Sequence, residues 1–108
     1  MTKQELSAWI AHKVMRWKVR YNYFWYDGEM PMVPRIRYSP VSDLNQAFEA
    51  LKESGIGWIM YGSGDVMLIP DQPPDVQKNH DGTTSGIAMA ICQAIYEART
   101  GQKCEVEK

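Results

Sequence analysis

GIAMAICQAIYEA, residues 86 to 98, is the stretch from which the fold is read. Ile87, Ala88, Ala90, Ile91, Ala94, Ile95 and Ala98 cover much of a helix's circumference rather than one stripe, the pattern of a helix buried on most sides. Its alanines would let it sit close against a sheet. The spacing predicts a helix from about Thr84 to Arg99, with Gly101 as its stop.

Upstream of this helix the chain supplies elements to surround it. Trp58-Ile59-Met60-Tyr61 and Val66-Met67-Leu68-Ile69 flank Gly62-Ser63-Gly64-Asp65, turn chemistry that predicts a hairpin. Pro70 to Gly82 is polar and carries prolines, and reads as a loop. Leu44, Ala47, Phe48 and Leu51 mark a second helix ending near Ser54-Gly55, capped by Ser39 ahead of Pro40 or by Ser42. At the start, Thr2-Lys3-Gln4-Glu5 has capping-box form, and Leu6, Trp9, Ile10 and Val14 follow at helical spacing up to about Met15.

WKVRYNYFWY, residues 17 to 26, holds six aromatic residues and two cations. Its enrichment in β-formers predicts one strand, with Val19, Tyr21, Tyr23 and Trp25 inward and Lys18, Arg20, Asn22 and Phe24 outward. The stretch after it, with Pro31, Pro34 and Pro40, is an extended loop fit only for an edge strand. The expected architecture is therefore a single α+β domain over residues 1-108, an antiparallel sheet covered by three helices in an alpha/beta/alpha sandwich.

Composition agrees with one soluble domain: 108 residues, 44% apolar and 23% charged, with no apolar run near the ~20 residues of a membrane span. The N-terminal segment is amphipathic and does not have the form of a secretory signal, which leads to a cytoplasmic expectation. Cys92 in an apolar run and Cys104 in a polar tail make a poor disulfide framework. Charge is uneven. Lys13, Arg16, Lys18, Arg20, Arg35 and Arg37 face only Asp27 and Glu29 across residues 13 to 38, whereas the chain from Ser39 onward is acidic.

HKVMRWK at 12 to 18, YSPVSDLNQAFEAL at 38 to 51 and GIAMAICQAIYEA at 86 to 98 together resemble the phage ABA sandwich family of small phage and prophage proteins, and more distantly the NinX-like proteins of lambdoid phages. The family pattern has glycine at the position of Arg16 and tryptophan at that of Phe48. The resemblance implies helices on two faces of an antiparallel sheet, a phage origin and hence the host cytoplasm. It implies no established activity.

Metal chemistry would need several ligands at coordinating spacing, and His12 and His80 stand alone, so neither a metal nor a cofactor is expected. Cys92 on an apolar helix reads as packing rather than as a nucleophile. Two places could hold an anion. Thr83, Thr84 and Ser85 sit at the N-terminus of the third helix, where free N–H groups and the helix dipole favour negative charge, although helix capping explains the same residues. Phe24 and Tyr26, beside Arg16, Arg20, Arg35 and Arg37, combine stacking rings with phosphate-matching guanidinium groups. The functional expectation is an accessory protein that binds without turnover and is not an enzyme, its ligand an anionic, nucleotide-like small molecule sequestered in a counter-defence role. One alternative is an interaction module for a host or phage protein, self-association into a homo-oligomer included. The other is a small hydrolase using Asp65, Asp71, Asp75, His80 and Asp81.

Overall fold

A computed structural model describes residues 1–20, 24–28, 30–61, 65–70 and 75–106. Its elements run α1 (Lys3–Lys13), β1 (Lys18–Arg20), β2 (Phe24–Asp27), β3 (Met30–Pro34), a 3-10 turn (Arg35–Arg37), α2 (Leu44–Ser54), β4 (Gly57–Tyr61), β5 (Asp65–Ile69), β6 (Val76–Asn79) and α3 (Thr84–Thr100). The class is α+β, with three helices and two small antiparallel sheets ordered β1-β2-β3 and β4-β5-β6.

Helix α3 is the centre of the packing. Ala88, Ala90, Ile91, Cys92, Ala94 and Ile95 are all buried, and the helix lies against α1, α2, β5 and β6. Small side chains permit so many close neighbours. Thr83 caps its start by accepting from the Gly86 N–H, and Gly101 closes it in the left-handed conformation at φ 70. Two polar ties hold its far end: the Arg99 guanidinium donates to the Ser54 carbonyl at 2.7 Å, and Glu97 pairs with Lys78 of β6.

Helix α1 begins with the capping box, Glu5 N–H donating to the Thr2 hydroxyl and Thr2 N–H to the Glu5 carboxylate, each at 3.0 Å. These bonds hold the Glu5 carboxyl below its usual range. Just past the helix Arg16 adopts φ 60, a left-handed conformation that costs an L-residue roughly 1–2 kcal/mol.

The aromatic segment departs from the single-strand expectation. Lys18–Arg20 pairs antiparallel with Phe24–Asp27, in register Lys18↔Tyr26, Val19↔Trp25 and Arg20↔Phe24, so WKVRYNYFWY folds back on itself. Tyr21, Asn22 and Tyr23 lie outside the described residues. The expected inward position of Trp25 holds, the side chain being only 2% exposed. β3 is an edge strand, consistent with its prolines, and the β2 register shifts between Trp25 and Tyr26.

Two further points differ from expectation. Neither Ser39 nor Ser42 caps α2; Asp43 does, its carboxylate accepting from Gln46 N–H at 3.1 Å, while Ser39 and Ser42 bond to each other in the preceding turn. A carboxylate adjoining the first helical residue is the better-placed and stronger acceptor. The polar stretch before α3 contains strand β6, whose inward Val76 and Lys78 are half-buried. Cys104 is buried despite its polar surroundings in sequence, its thiol 4.0 Å from the Met1 thioether.

Truncating the centre of α3 tests this packing. Ile91→Ala should lower unfolding free energy in urea by ~2–5 kcal/mol, the usual cost of removing a buried aliphatic side chain, and a loss under about 1 kcal/mol would contradict it. Arg16→Gly should act in the opposite direction. Relief of the left-handed strain, less the extra freedom glycine gives the unfolded chain, predicts a gain of up to about 1 kcal/mol in the same assay.

Candidate functional site

Between the first half of α1 and the strand-to-turn segment that follows β3 lies a cleft of about 380 Å³, lined by Gln4, Ser7, Ala8, Trp25, Arg35, Ile36, Tyr38 and Ser39. Each wall has a distinct origin. The capping box orients α1, which brings Gln4, Ser7 and Ala8 to one side. Pairing of Trp25 with Val19 and Val33 fixes the indole at the base. The 3-10 turn supplies Arg35 and Ile36, and Gln46 of α2 holds the chain beyond it, donating to the Arg37 carbonyl and accepting from Ser39 N–H at 2.7 Å.

The polar groups of this cleft are incompletely matched. The Ser7 hydroxyl is buried and has no hydrogen-bond partner among the described residues, as is true of the Tyr38 phenol. Burial pushes the Tyr38 phenol well above its usual range, with Cys92 and Glu49 adding to the effect. Its ring meets Trp17 edge-on, centroids 4.9 Å apart. Trp25 meets His12 edge-on at 4.9 Å, and the Arg35 guanidinium carbon lies over the Trp25 ring, 5.4 Å from its centroid. Arg35 is exposed and makes no ion pair among the described residues. Ile36, beside it, is 93% exposed.

Of the residues singled out by sequence, Arg35 lines the cleft. Arg37 is exposed at the end of the same turn, and Arg16 is exposed beyond the opposite end of α1. Tyr26 is half-buried and pairs in register with Lys18 and Pro31. Arg20 and Phe24 pair with each other in the β1–β2 register, and their side chains lie outside the described residues. The cleft adds Trp25, which the alternation had placed in the core, and Ser7, which sequence reasoning passed over. A signal for Ser7 was present: it precedes Ile10 and Ala11 by three and four positions and so places a hydroxyl on the buried face of α1.

Thr83 and Thr84 lie elsewhere, at the start of α3. There the Asp81 carboxylate accepts from both the N–H and the hydroxyl of Thr83, and Thr83 in turn caps Gly86. These bonds hold the Asp81 carboxyl below its usual range, and an anion of the chain's own already stands at this helix end. Of the acidic residues of the hydrolase alternative, Asp65 accepts from Gln77 at 2.8 Å and Asp81 from Thr83, while Asp71 lies outside the described residues. Among the described residues no three His, Cys, Asp or Glu gather as a metal site would require, and no helix is long and apolar enough to cross a membrane. The Cys92 thiol is buried and its ionisation is pushed well above the usual range by desolvation, an environment for packing rather than nucleophilic attack.

No family model, curated protein or solved structure matches this chain.

The arrangement at α3 is open to test. A Cβ on Gly86 would overlap the Asp81 carboxylate and stand 2.9 Å from the Thr83 hydroxyl. Gly86→Ala should therefore lower the melting temperature, because the Asp81 bonds must break to admit it. Made together with Asp81→Ala, the same substitution should do less harm or become favourable, as alanine in a helix normally gains up to ~1 kcal/mol over glycine. Equal effects in both backgrounds would show that Asp81 does not occupy this position.

Proposed function

We propose that the chain is a phage or prophage accessory protein that binds an anionic, nucleotide-like small molecule without turnover, and that the cleft between α1 and the Arg35–Arg37 turn is where it binds. The supporting observation is the conjunction there of a guanidinium with no ion-pair partner among the described residues, an indole, and a buried hydroxyl with no described partner. A guanidinium matches an anion, an indole offers a stacking face, and a buried hydroxyl without a partner costs free energy until one is supplied. Sequestration as a counter-defence role would need nothing more than tight binding.

The phage ABA sandwich lineage is part of the same reading, with the two sheets and three helices a variant of that family's layers. Arg16 supports it: the family pattern has glycine at this position, and Arg16 takes up a backbone conformation that glycine adopts freely. A second reading, docking to a host or phage protein or to another copy of the chain, is favoured by Ile36, an almost fully exposed aliphatic side chain between two arginines. Solution mass and affinity capture from host lysate separate the two, since a self-contained ligand binder remains a monomer and retains no protein.

Ser7→Ala provides the sharper test of the first reading. Removing an unpartnered buried hydroxyl should raise the stability of the free protein, by as much as ~1–3 kcal/mol if the full desolvation penalty is relieved. It should also weaken the ligand by ~0.5–1.5 kcal/mol, the worth of one neutral hydrogen bond. Calorimetry with mono-, di- and cyclic nucleotides measures the second effect and thermal melting the first. Absence of binding by the unaltered protein to the whole panel at high micromolar concentration removes this function.

A further inference from the structure

Trp25 borders the cleft and is 2% exposed, its indole covered by its neighbours. Among the groups around it the Arg35 guanidinium lies over the ring, 5.4 Å from the centroid, while His12 meets the indole edge-on at an interplanar angle of 87°. Arg35 reaches this position from an exposed turn on a long side chain, and no acidic residue among the described residues pairs with it. We infer that Arg35 is a displaceable cover: it occupies the Trp25 face in the free protein and exchanges that face for the ligand's anionic group, leaving the ring open to a planar ligand moiety. The inference rests on the proposed binding function and narrows it to molecules that carry a flat ring and an anion together.

The chemistry gives each half of such a ligand a separate task. A neutral ring must compete with the guanidinium for the indole, losing what the cation–π contact is worth. An anion without a ring can recruit Arg35 but leaves the indole uncovered and its surface unsatisfied. A molecule with both recruits the guanidinium and replaces it on the ring in one event. A volume near 380 Å³ lies at the small end of ligand pockets, which favours a mononucleotide over a dinucleotide or a strand.

Substituting Arg35 should therefore move two affinities in opposite directions, which a merely structural or purely anion-binding arginine would not do. Isothermal titration with adenosine monophosphate, adenosine and ribose 5-phosphate, on the unaltered protein, Arg35→Ala and Arg35→Lys, reads both. Arg35→Ala should weaken adenosine monophosphate by roughly 10- to 150-fold through loss of a charge-assisted contact. It should tighten adenosine by roughly 2- to 5-fold, because the cover is gone. Arg35→Lys should restore part of the nucleotide affinity and part of the discrimination against adenosine. Arg35→Ala should lower the melting temperature only slightly, through loss of the cation–π contact, and Arg35→Lys should lower it less.

Three results would overturn the inference. If Arg35→Ala leaves adenosine unchanged or weaker, Arg35 is not a cover. If ribose 5-phosphate binds the unaltered protein as tightly as adenosine monophosphate does, the Trp25 face is unused, and anion binding without turnover survives alone. If the unaltered protein binds none of the three, the inference fails together with the proposed function for this ligand class.

Discussion

Close approach of α3 to its neighbours is the constraint on which the other elements depend. Ala88, Ala90 and Ala94 keep the helix surface shallow, so that α1 and α2 can pack on the helix that also carries β5 and β6. Larger side chains at these positions would push the layers apart, and the polar ties at the helix end would lose their reach. Those ties, Arg99 to Ser54 and Glu97 to Lys78, link α2 and β6 to the same helix, fixing its position along its axis as well as against its neighbours. With α3 placed, the apolar faces of the elements around it have somewhere to be buried.

The parts of this architecture that were plain in the sequence are those where local chemistry and burial agree. The Thr2–Glu5 capping box, the Gly101 stop and the hairpin of β4 and β5 each combine a specific local signal with an apolar pattern on both sides. The fold-back within residues 17 to 26 was hidden for a geometric reason. Lys18 and Tyr26, Val19 and Trp25, and Arg20 and Phe24 are separated by even numbers of positions, so the inward and outward alternation is the same for one long strand as for two paired ones. Strand β6 was concealed by its polarity. One of its two inward residues is Lys78, which spans the sheet surface with its aliphatic stem and delivers its charge to Glu97.

The candidate site was legible only in part because its pieces are remote from one another along the chain. Basic and aromatic residues near one another in sequence indicated the region, and Arg35 belongs to the cleft; which ring it would meet depended on the β2–β3 pairing and on α1 closing the other side. Trp25 illustrates the limit. Alternation correctly assigns it inward, and a buried indole is ordinarily counted as core, but its inward face meets a cleft and a guanidinium rather than aliphatic side chains alone. Positive charge read from a stretch of sequence also overstates what converges: Arg16 and Arg35 are both exposed, yet Arg35 lines the cleft and Arg16 does not.

Gln46 gives the cleft a dynamic connection. One amide side chain in the first turn of α2 holds the Arg37 carbonyl and the Ser39 N–H together, and so secures the chain that forms the cleft's rim. First turns of helices fray more readily than their centres, because their N–H groups depend on caps such as Asp43 rather than on the helical ladder. Fraying of α2 and loosening of the rim are therefore one local opening rather than two. Amide hydrogen exchange at Ser39, Gln46 and Ala47 should share a common opening free energy, and whatever fastens the rim from the cleft side also slows exchange in a helix it does not touch.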